Sequence, residues 1–195
     1  QHAHQFLIIH AAVVEKNGRA LILPGMPGAG KSTLCAALVS KGGWRLLSDE
    51  LTMIDLENAN VIPNPRPVSL KNQSIDIIKQ LSPELHSSKI VKDTIKGTVC
   101  HMEPPSSSIE NANQSALPGF IVFPKYKANS NTQILTMPKC RAFLELANQS
   151  FNYSILGKQG FQAIAQHIDQ AECYSYEYDG NLDQAIADMN SLVQQ

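Results

Sequence analysis

The N-terminal part of the chain alternates apolar runs with short polar breaks, a pattern that predicts strands followed by a helix. The apolar runs 6–14 and 20–23 flank Asn17-Gly18, a dipeptide typical of tight hairpins. Residues 32–41 then place apolar side chains at helical spacing, and a pair of glycines ends the pattern. We therefore expect a β-hairpin whose second strand leads through a loop into a helix.

The rest of the chain continues with short strands and amphipathic helices. Apolar runs predict strands at 44–47, 51–56, 119–123 and 133–135. Helical spacing of apolar residues predicts helices at 70–81, 139–149, 160–168 and 182–193. Prolines in 62–67 predict an extended crossover, and the Pro-, Ser- and Asn-rich segment 103–118 predicts a long mobile loop, often a lid or substrate loop. Strands alternating with helices indicate an α/β fold.

Length and composition fit one domain with a buried core. The chain has 195 residues, of which 43% are hydrophobic and 17% charged, so a sizeable core is expected. We predict a single domain over 1–195, trimmed at its N-terminus because the sequence starts at Gln1. His2 and His4 have a metal-binding spacing, but at a chain start we expect them to be frayed.

Charge and hydropathy narrow the range of partners and locations. A formal net charge of -1 provides no general attraction to nucleic acid or anionic lipid, so neither is expected as a partner. The longest apolar run, 6–14, is too short to cross a bilayer and has no signal-peptide pattern before it. We therefore expect a cytoplasmic protein.

The strongest chemical signal is the glycine-rich loop, residues 25–32. Its sequence, GMPGAGKS, matches the phosphate-binding pattern G-x-x-x-x-G-K-[ST] in full and lies between a predicted strand and a predicted helix. Glycines in such a loop let successive backbone N–H groups face a phosphate, and the helix N-terminus adds partial positive charge. The loop therefore predicts a site for a nucleoside triphosphate, with Mg-ATP as the expected ligand.

Every residue of the glycine-rich loop is an expected nucleotide contact. These residues are Gly25, Met26, Pro27, Gly28, Ala29, Gly30, Lys31 and Ser32. Lys31 is expected to reach the β- and γ-phosphates, and the Ser32 hydroxyl is expected to hold Mg²⁺. Thr33 follows directly and either touches the α-phosphate or caps and packs the helix.

Asp49 and Glu50, at the end of the predicted strand 44–47, supply the carboxylates that phosphoryl transfer requires. A parallel sheet would place Asp49 beside the glycine-rich loop, so Asp49 and Ser32 are the predicted Mg²⁺ ligands. Neighbouring strand residues point to opposite faces, so both carboxylates reach one site only if the strand ends there. One would hold the metal while the other accepts the proton of an attacking hydroxyl. The alternative is a solvated strand end.

The order of these motifs resembles the HPr kinase/phosphorylase superfamily, in particular the branch called HprK-related kinase A. There a histidine precedes the phosphate-binding hairpin, and a Lys/Arg-Gly turn and an acidic pair follow; the matching positions here are His10, 41–42 and 49–50. Weaker similarities are found at 94–98, 96–101, 123–126 and 151–153. Because phosphoenolpyruvate carboxykinase shares this fold, the resemblance implies a P-loop core with a mixed sheet and flanking helices.

The resemblance also implies roles for individual residues. Asp49 would help organise the metal and the nucleophile, and His10 would hydrogen-bond near the γ-phosphate. Lys96 would neutralise charge on the transferring phosphoryl group. Two alternatives stay open: that His10 is a satisfied core histidine, and that Lys96 is a solvated lysine. His101 is a further candidate for contact with phosphate or acceptor. By analogy with the family, the chain is a possible homo-oligomer.

These features predict an ATP-dependent kinase that uses Mg²⁺. Its partners would be a nucleotide and an unidentified phosphoryl acceptor, either a protein serine or a small-molecule alcohol. Glu50, or Asp49 in its place, would be the base. The alternative is a nucleotide-gated binding module with slow or no ATP hydrolysis. A carboxykinase-like enzyme is disfavoured because no second metal site or arginine cluster is visible in the sequence.

Overall fold

A computed structural model describes residues 5–194, so His2 and His4 lie outside the described part of the chain. The strands are β1 Phe6–Lys16, β2 Arg19–Pro24, β3 Arg45–Ser48, β4 Leu51–Asp55, β5 Val61–Ile62, β6 Val68–Lys71, β7 Val91–Thr94, β8 Gly97–Met102, β9 Leu117–Tyr126, β10 Gln133–Thr136 and β11 Glu172–Tyr178. The helices are α1 Lys31–Ser40, α2 Gln73–Leu81, α3 Ser106–Glu110, α4 Lys139–Asn148, α5 Tyr153–Leu156, α6 Lys158–Gln170 and α7 Leu182–Leu192. The predicted α/β class is confirmed.

The larger sheet is mixed, with strand order β10-β11-β9-β2-β1-β4-β5 and with β3 also paired to β1. Strand β9 is parallel to both β2 and β11, whereas β1 is antiparallel to β2, β3 and β4. Because β2 and β3 both oppose β1, they run in the same direction. The C-terminal ends of β2, β3, β9 and β11 therefore reach the same edge of the sheet, where ligands bind in open α/β sheets.

Local sequence signals account for the opening of the fold. Asn17 and Gly18 both adopt positive φ angles, 54° and 78°, as the predicted tight hairpin requires. The glycine-rich loop then connects β2 to α1, as predicted. Further predicted elements correspond to β3, β4, β9, β10, α4, α6 and α7, with ends that differ by a few residues. Residues 63–67 form no regular element, in line with the predicted crossover.

Helices cover both faces of the larger sheet. On β1, Ala12 and Val14 pack with residues of α1 and α7, while Ala11 and Val13 pack with residues of α4 and α6. Strands buried on both faces have continuous apolar runs rather than alternation, which explains the composition of β2 and β9. Within residues 5–194, no helix is both long and apolar enough to span a membrane.

The helix predicted for 70–81 is wrong at its N-terminal end. Helix α2 begins only at Gln73, because Leu70 belongs to β6 and pairs with Cys100 of β8. Strands β6, β8 and β7 form a small antiparallel sheet of their own, in that order. The sequence patterns do not predict β7, β8, β11 or α5.

The segment 103–118 is not the long loop that its composition predicts. It contains α3, and the buried Ser108 hydroxyl accepts a hydrogen bond from a backbone N–H of β3 at 3.1 Å. The Arg45 guanidinium donates to the backbone carbonyls of Asn111 and Gln114 at 2.8 and 3.0 Å. These long-range hydrogen bonds hold a polar segment in place against β3.

Candidate functional site

A cavity of about 630 Å³ lies at the edge of the sheet where β2, β3, β9 and β11 end. From the glycine-rich loop and the start of α1, the cavity is lined by Pro27, Gly28, Gly30, Lys31, Ser32 and Thr33. The four predicted catalytic residues, His10, Asp49, Glu50 and Lys96, line the same cavity. Gly25, Met26 and Ala29 of the loop do not line it. Residues distant in sequence are thus brought to one site.

The glycine-rich loop depends on its glycines for its shape. Gly28 and Gly30 have φ angles of 87° and 88°, which a residue with a Cβ adopts only with strain. A Cβ on Gly30 would also collide with the Tyr178 hydroxyl. Gly30 is the N-cap residue of α1 and supplies no side-chain acceptor. The first N–H groups of a helix have no acceptor within it, so those of α1 are suited to bind an anion.

Lys31 is held inside the loop by the loop's own backbone. Its side chain is only 8% exposed, and Nζ donates to the carbonyls of Gly25 and Met26 at 2.6 and 3.1 Å. Burial lowers the pKa of Lys31, and the nearby Asp49 opposes that shift. An ammonium group has three N–H donors, so one donor and the charge are left for a ligand.

Asp49 is a buried carboxylate with one oxygen unsatisfied. The residue is 6% exposed, and Oδ2 accepts a hydrogen bond from the Ser69 backbone N–H at 2.9 Å, while Oδ1 has no hydrogen-bond partner among residues 5–194. Burial raises the pKa of Asp49, and the Ser69 N–H and the Ser32 side chain lower it. An unpaired buried oxygen is costly, and a cation would satisfy it. Ser32 and Asp49 therefore fit a magnesium ion.

Such an ion would have to draw its other ligands from outside the protein. Within residues 5–194, no group of three or more His, Cys, Asp or Glu side chains is placed to hold a metal. Magnesium commonly takes one or two protein ligands and completes its shell with phosphate oxygens and water. The sparse set of protein ligands at Ser32 and Asp49 suits an ion that enters together with a nucleotide.

Glu50 lies beside Asp49 but is exposed to the cavity. Strand β3 ends at Ser48 and β4 begins at Leu51, so the two acidic residues lie in the gap between the strands. This gap is the condition under which both carboxylates can reach one site. The arrangement separates them: Asp49 faces Ser32 from a buried position, and Glu50 remains accessible to an incoming molecule.

His10 lies next to this acidic pair. It pairs with Leu51 across β1 and β4, and its ring makes an edge contact with Phe151, with centroids 5.9 Å apart. Burial and the charge of Lys31 lower the pKa of His10, and the charge of Glu50 opposes them. The imidazole is therefore neutral at neutral pH, able to donate one hydrogen bond and accept another.

Lys71, at the end of β6, is a cavity residue that the sequence patterns miss. Its positive charge lowers the pKa values of His10, Lys31 and Asp49, so it lies within electrostatic reach of all three. Lys96, in the exposed turn between β7 and β8, adds a further positive charge to the lining. The only signal for Lys71 is the short alternation in 68–71, which the helix predicted for 70–81 obscures.

Other candidates from the sequence lie elsewhere. His101 is exposed on β8 and does not line the cavity, and neither does any part of the segment 103–118. Asn152 is structural: its Oδ1 accepts from the Ile8 backbone N–H and its Nδ2 donates to the Phe6 carbonyl, both at 2.9 Å. These bonds tie the start of α5 to β1.

The aromatic residues Tyr126 and Tyr178, at the ends of β9 and β11, are also missed by sequence analysis although both line the cavity. The cavity thus combines a glycine-rich loop, a buried and an exposed carboxylate, lysines and an aromatic side. Function has to be inferred from this combination. No protein-family model matches the chain, and no curated protein matches its sequence.

Proposed function

We propose that this chain is an ATP-dependent kinase with a P-loop core of the HPr kinase type. It transfers the γ-phosphoryl group of ATP to a hydroxyl, either of a protein serine or of a small-molecule alcohol. The observation that supports the proposal best is the unsatisfied Asp49 Oδ1, buried beside Ser32 in a cavity that also contains Glu50. A carboxylate at a solvated strand end would be exposed to water, whereas Asp49 is buried.

The nucleotide phosphates bind at the glycine-rich loop. Backbone N–H groups of the loop and of the first turn of α1 surround the phosphate oxygens, and Lys31 neutralises part of their charge. Ser32 and Asp49 would hold Mg²⁺, which, when bound, supplies further neutralisation of charge on the phosphates. Because Asp49 is already bonded to Ser69 through Oδ2, its other oxygen is oriented before any ligand arrives.

Glu50 is the general base. Its exposed carboxylate accepts the proton of the acceptor hydroxyl, and the hydroxyl oxygen forms a bond to the γ-phosphorus. The bond between that phosphorus and the β–γ bridging oxygen breaks, and the electron pair leaves with ADP. Asp49 is less suited to this role because it is buried.

Lysines around the acidic pair stabilise the charge that develops during transfer. Lys71 lines the cavity within electrostatic reach of Asp49 and Lys31, so its positive charge would act on phosphates bound there. Lys96 comes from a separate hairpin and contributes a second charge at the rim of the cavity. Neutral His10 interacts with the backbone of Glu50 and adds no positive charge beside its carboxylate.

The test follows the label of γ-³²P-ATP with Mg²⁺ and a dialysed cell extract as the source of acceptors. Wild type is expected to label a discrete protein or metabolite and to form ADP. Lys31→Ala should abolish labelling, and Glu50→Gln should slow it by about 10²- to 10⁴-fold, the usual contribution of a general base. Glu57→Gln, which alters an exposed glutamate outside the cavity, is the matched control and should leave the rate unchanged.

Two results would contradict this assignment. If the wild type binds Mg-ATP tightly but labels no acceptor, the protein is not a kinase. If only slow release of free phosphate is seen and Glu50→Gln does not change it, Glu50 is not a base. A nucleotide-gated binding module would then be the better description.

A further inference from the structure

The cavity has a second side. Of the residues that the structure describes, 5–194, no acidic or basic one lines the cavity on this side. In the larger sheet, β2 has β1 on one side and β9 followed by β11 on the other. Asp49 and Glu50 come from the β3 end, beyond β1, whereas Tyr126, Tyr178 and Leu182 come from the ends of β9 and β11 and the start of α7. The glycine-rich loop, at the end of β2, therefore lies between an acidic side and an aromatic side.

Tyr178 and Tyr126 have different positions on the aromatic side. Tyr178 is 2% exposed, and its hydroxyl donates to the Gly30 carbonyl at 3.3 Å. Tyr126 is 48% exposed and meets Tyr178 edge to face, with ring centroids 5.9 Å apart. The backbone N–H of Tyr126 donates to the Ala29 carbonyl at 3.2 Å. Tyr178 thus supports the loop from behind, and Tyr126 offers ring surface to the cavity.

Two glycines next to Tyr126 leave space for its side chain. Gly180 has a φ of 103°, and a Cβ there would lie 3.0 Å from Cε2 of Tyr126. A Cβ on Gly30 would lie 3.4 Å from Cβ of Tyr126. No side chain from either glycine covers the ring. The Tyr126 ring is therefore in contact with Tyr178 and open toward the cavity.

The apolar part of the lining has no role in the chemistry of phosphates. Tyr126 and Ile77 are both large, exposed hydrophobic residues that line this cavity. Phosphate oxygens, a cation and a transferred proton all need polar groups, whereas a planar heterocycle gains from stacking on an aromatic ring. An exposed aromatic ring in the same cavity as a phosphate-binding loop is thus best explained by a ligand with a flat apolar face.

Position decides which part of the ligand meets this ring. An acceptor hydroxyl must approach Glu50, which lies on the acidic side of the glycine-rich loop. The nucleoside end of a bound triphosphate points away from its γ-phosphate and hence away from the acceptor. The aromatic side lies across the loop from Glu50, so it suits the donor's base and not the acceptor.

Resting on the proposed kinase function, we infer that Tyr126 is the stacking platform for the base of the donor nucleotide, with Leu182 as an apolar neighbour. The base is held by its face on an exposed tyrosine ring, while the phosphates are held by backbone N–H groups of the glycine-rich loop. Base and phosphate binding are therefore separable, because different residues provide them. Tyr178 acts through the loop and is a positioning residue.

The test compares two ligands that differ in the base alone: Mg-ATP and Mg-ribose 5′-triphosphate. Calorimetric titrations are made on wild type, Tyr126→Ala and Tyr126→Phe, with Phe161→Ala as a control that removes an equally exposed ring outside the cavity. Tyr126→Ala is expected to weaken ATP binding roughly 5- to 150-fold, the range for loss of one stacked base. Ribose triphosphate binding should be unchanged, and Tyr126→Phe should bind ATP like wild type.

Several outcomes would overturn the inference and separate it from the kinase proposal. If Tyr126→Ala weakens both ligands equally, the residue acts on the loop through its bond to Ala29 and not on a base. If wild type binds both ligands equally well, the base makes no contact of value. Both results leave the kinase proposal intact. If wild type binds neither ligand, the kinase proposal and this inference are both wrong.

Discussion

The two sides of the cavity use opposite kinds of chemistry. The acidic wall is formed by His10, Asp49 and Glu50, and burial and nearby lysines shift the pKa values of His10 and Asp49. The aromatic wall, formed by Tyr126, Tyr178 and Leu182, remains neutral, since burial raises the pKa of Tyr178 and keeps its hydroxyl protonated. In the proposed kinase, the reaction and the recognition of the base would therefore lie on opposite sides of one loop, where different substitutions would change them separately.

Lys71→Met is expected to have the largest effect, and it acts on the acidic wall. Removing one charge that faces a developing anion commonly lowers kcat by about 10²- to 10³-fold. ATP affinity should change far less, because the aromatic wall and the glycine-rich loop are untouched. The measurement is kcat and Kd for Mg-ATP in the same preparation. Lys79→Met, which alters an exposed lysine outside the cavity, is the control. An equal loss of kcat in both variants would exclude a specific role for Lys71.

Gly30→Ala damages the junction between the loop and the aromatic wall. The substitution forces a Cβ into a left-handed conformation and against the Tyr178 hydroxyl, so we expect the free energy of unfolding to fall by at least about 2 kcal/mol. Gly18→Ala is a matched control, because Gly18 also has positive φ but has open space around it, and it should cost only about 1 kcal/mol. Urea unfolding measures both. Equal losses would show that the contact with Tyr178 is unimportant.

Asp49→Asn tests the acidic wall through the pH dependence of the free energy of unfolding. The folded-state pKa of Asp49 is raised above the ordinary value of 3.8, so the unfolded chain releases its proton first as pH rises. Between these two pKa values the folded state binds more protons, and stability therefore falls with rising pH. Wild type should lose stability relative to Asp49→Asn as pH increases above 3.8, and below that pH the difference between them should no longer depend on pH. Urea unfolding from pH 3 to 8 tests this, with Asp169→Asn as an exposed control.

The smallest effect is expected on the titration of His10. Burial is the main cause of its lowered pKa, and the charges of Lys31 and Lys71 add to it. Lys31→Met should raise the pKa of His10 toward 6.5, and Lys71→Met should raise it by less. Proton–nitrogen NMR of the imidazole follows both shifts. If an exposed lysine far from the cavity, such as Lys158, has the same effect when changed to Met, the local charges named here are not the cause.

Features set by neighbours in sequence were predictable. Asn17-Gly18 needs positive φ at adjacent positions, and the glycine-rich loop carries its whole pattern within 25–32. The strands at 44–47 and 51–56 follow from local apolar runs, and the carboxylates between them follow from their position at a strand end. Such signals concern residues that interact with near neighbours, so a single sequence contains them.

Features that depend on distant partners were not predictable. Leu70 alternates with its neighbours for only four residues before a helical pattern begins, and only its pairing with Cys100 identifies it as a strand residue. Strand β7 is exposed almost throughout, so it has no apolar face to detect. Segment 103–118 is ordered by Arg45, far earlier in the chain.

The same reason explains the missing site residues. Lys71 and Tyr126 reach the cavity from the ends of separate strands. Tyr126 lies in the segment 123–126 that resembles the kinase family, but that weak similarity assigns no nucleotide contact to it, and no motif includes Lys71. Their place in the site depends on strand order, which a single sequence does not state. Asp49, by contrast, follows the glycine-rich loop at short range and was accessible to motif analysis.

The hydrogen bonds between β1 and the segment 149–152 also affect how two copies of this protein can associate. Strand β2 pairs with β1 from Ala11 onward, so among the described strands none lies beside the first half of β1 on that side. Asn152, Phe151 and Gln149 fill that edge with hydrogen bonds to β1. An exposed strand edge can pair with a strand of another chain, and here the chain's own segment 149–152 occupies that edge. Pairing of strands from two chains at this edge of β1 is therefore blocked.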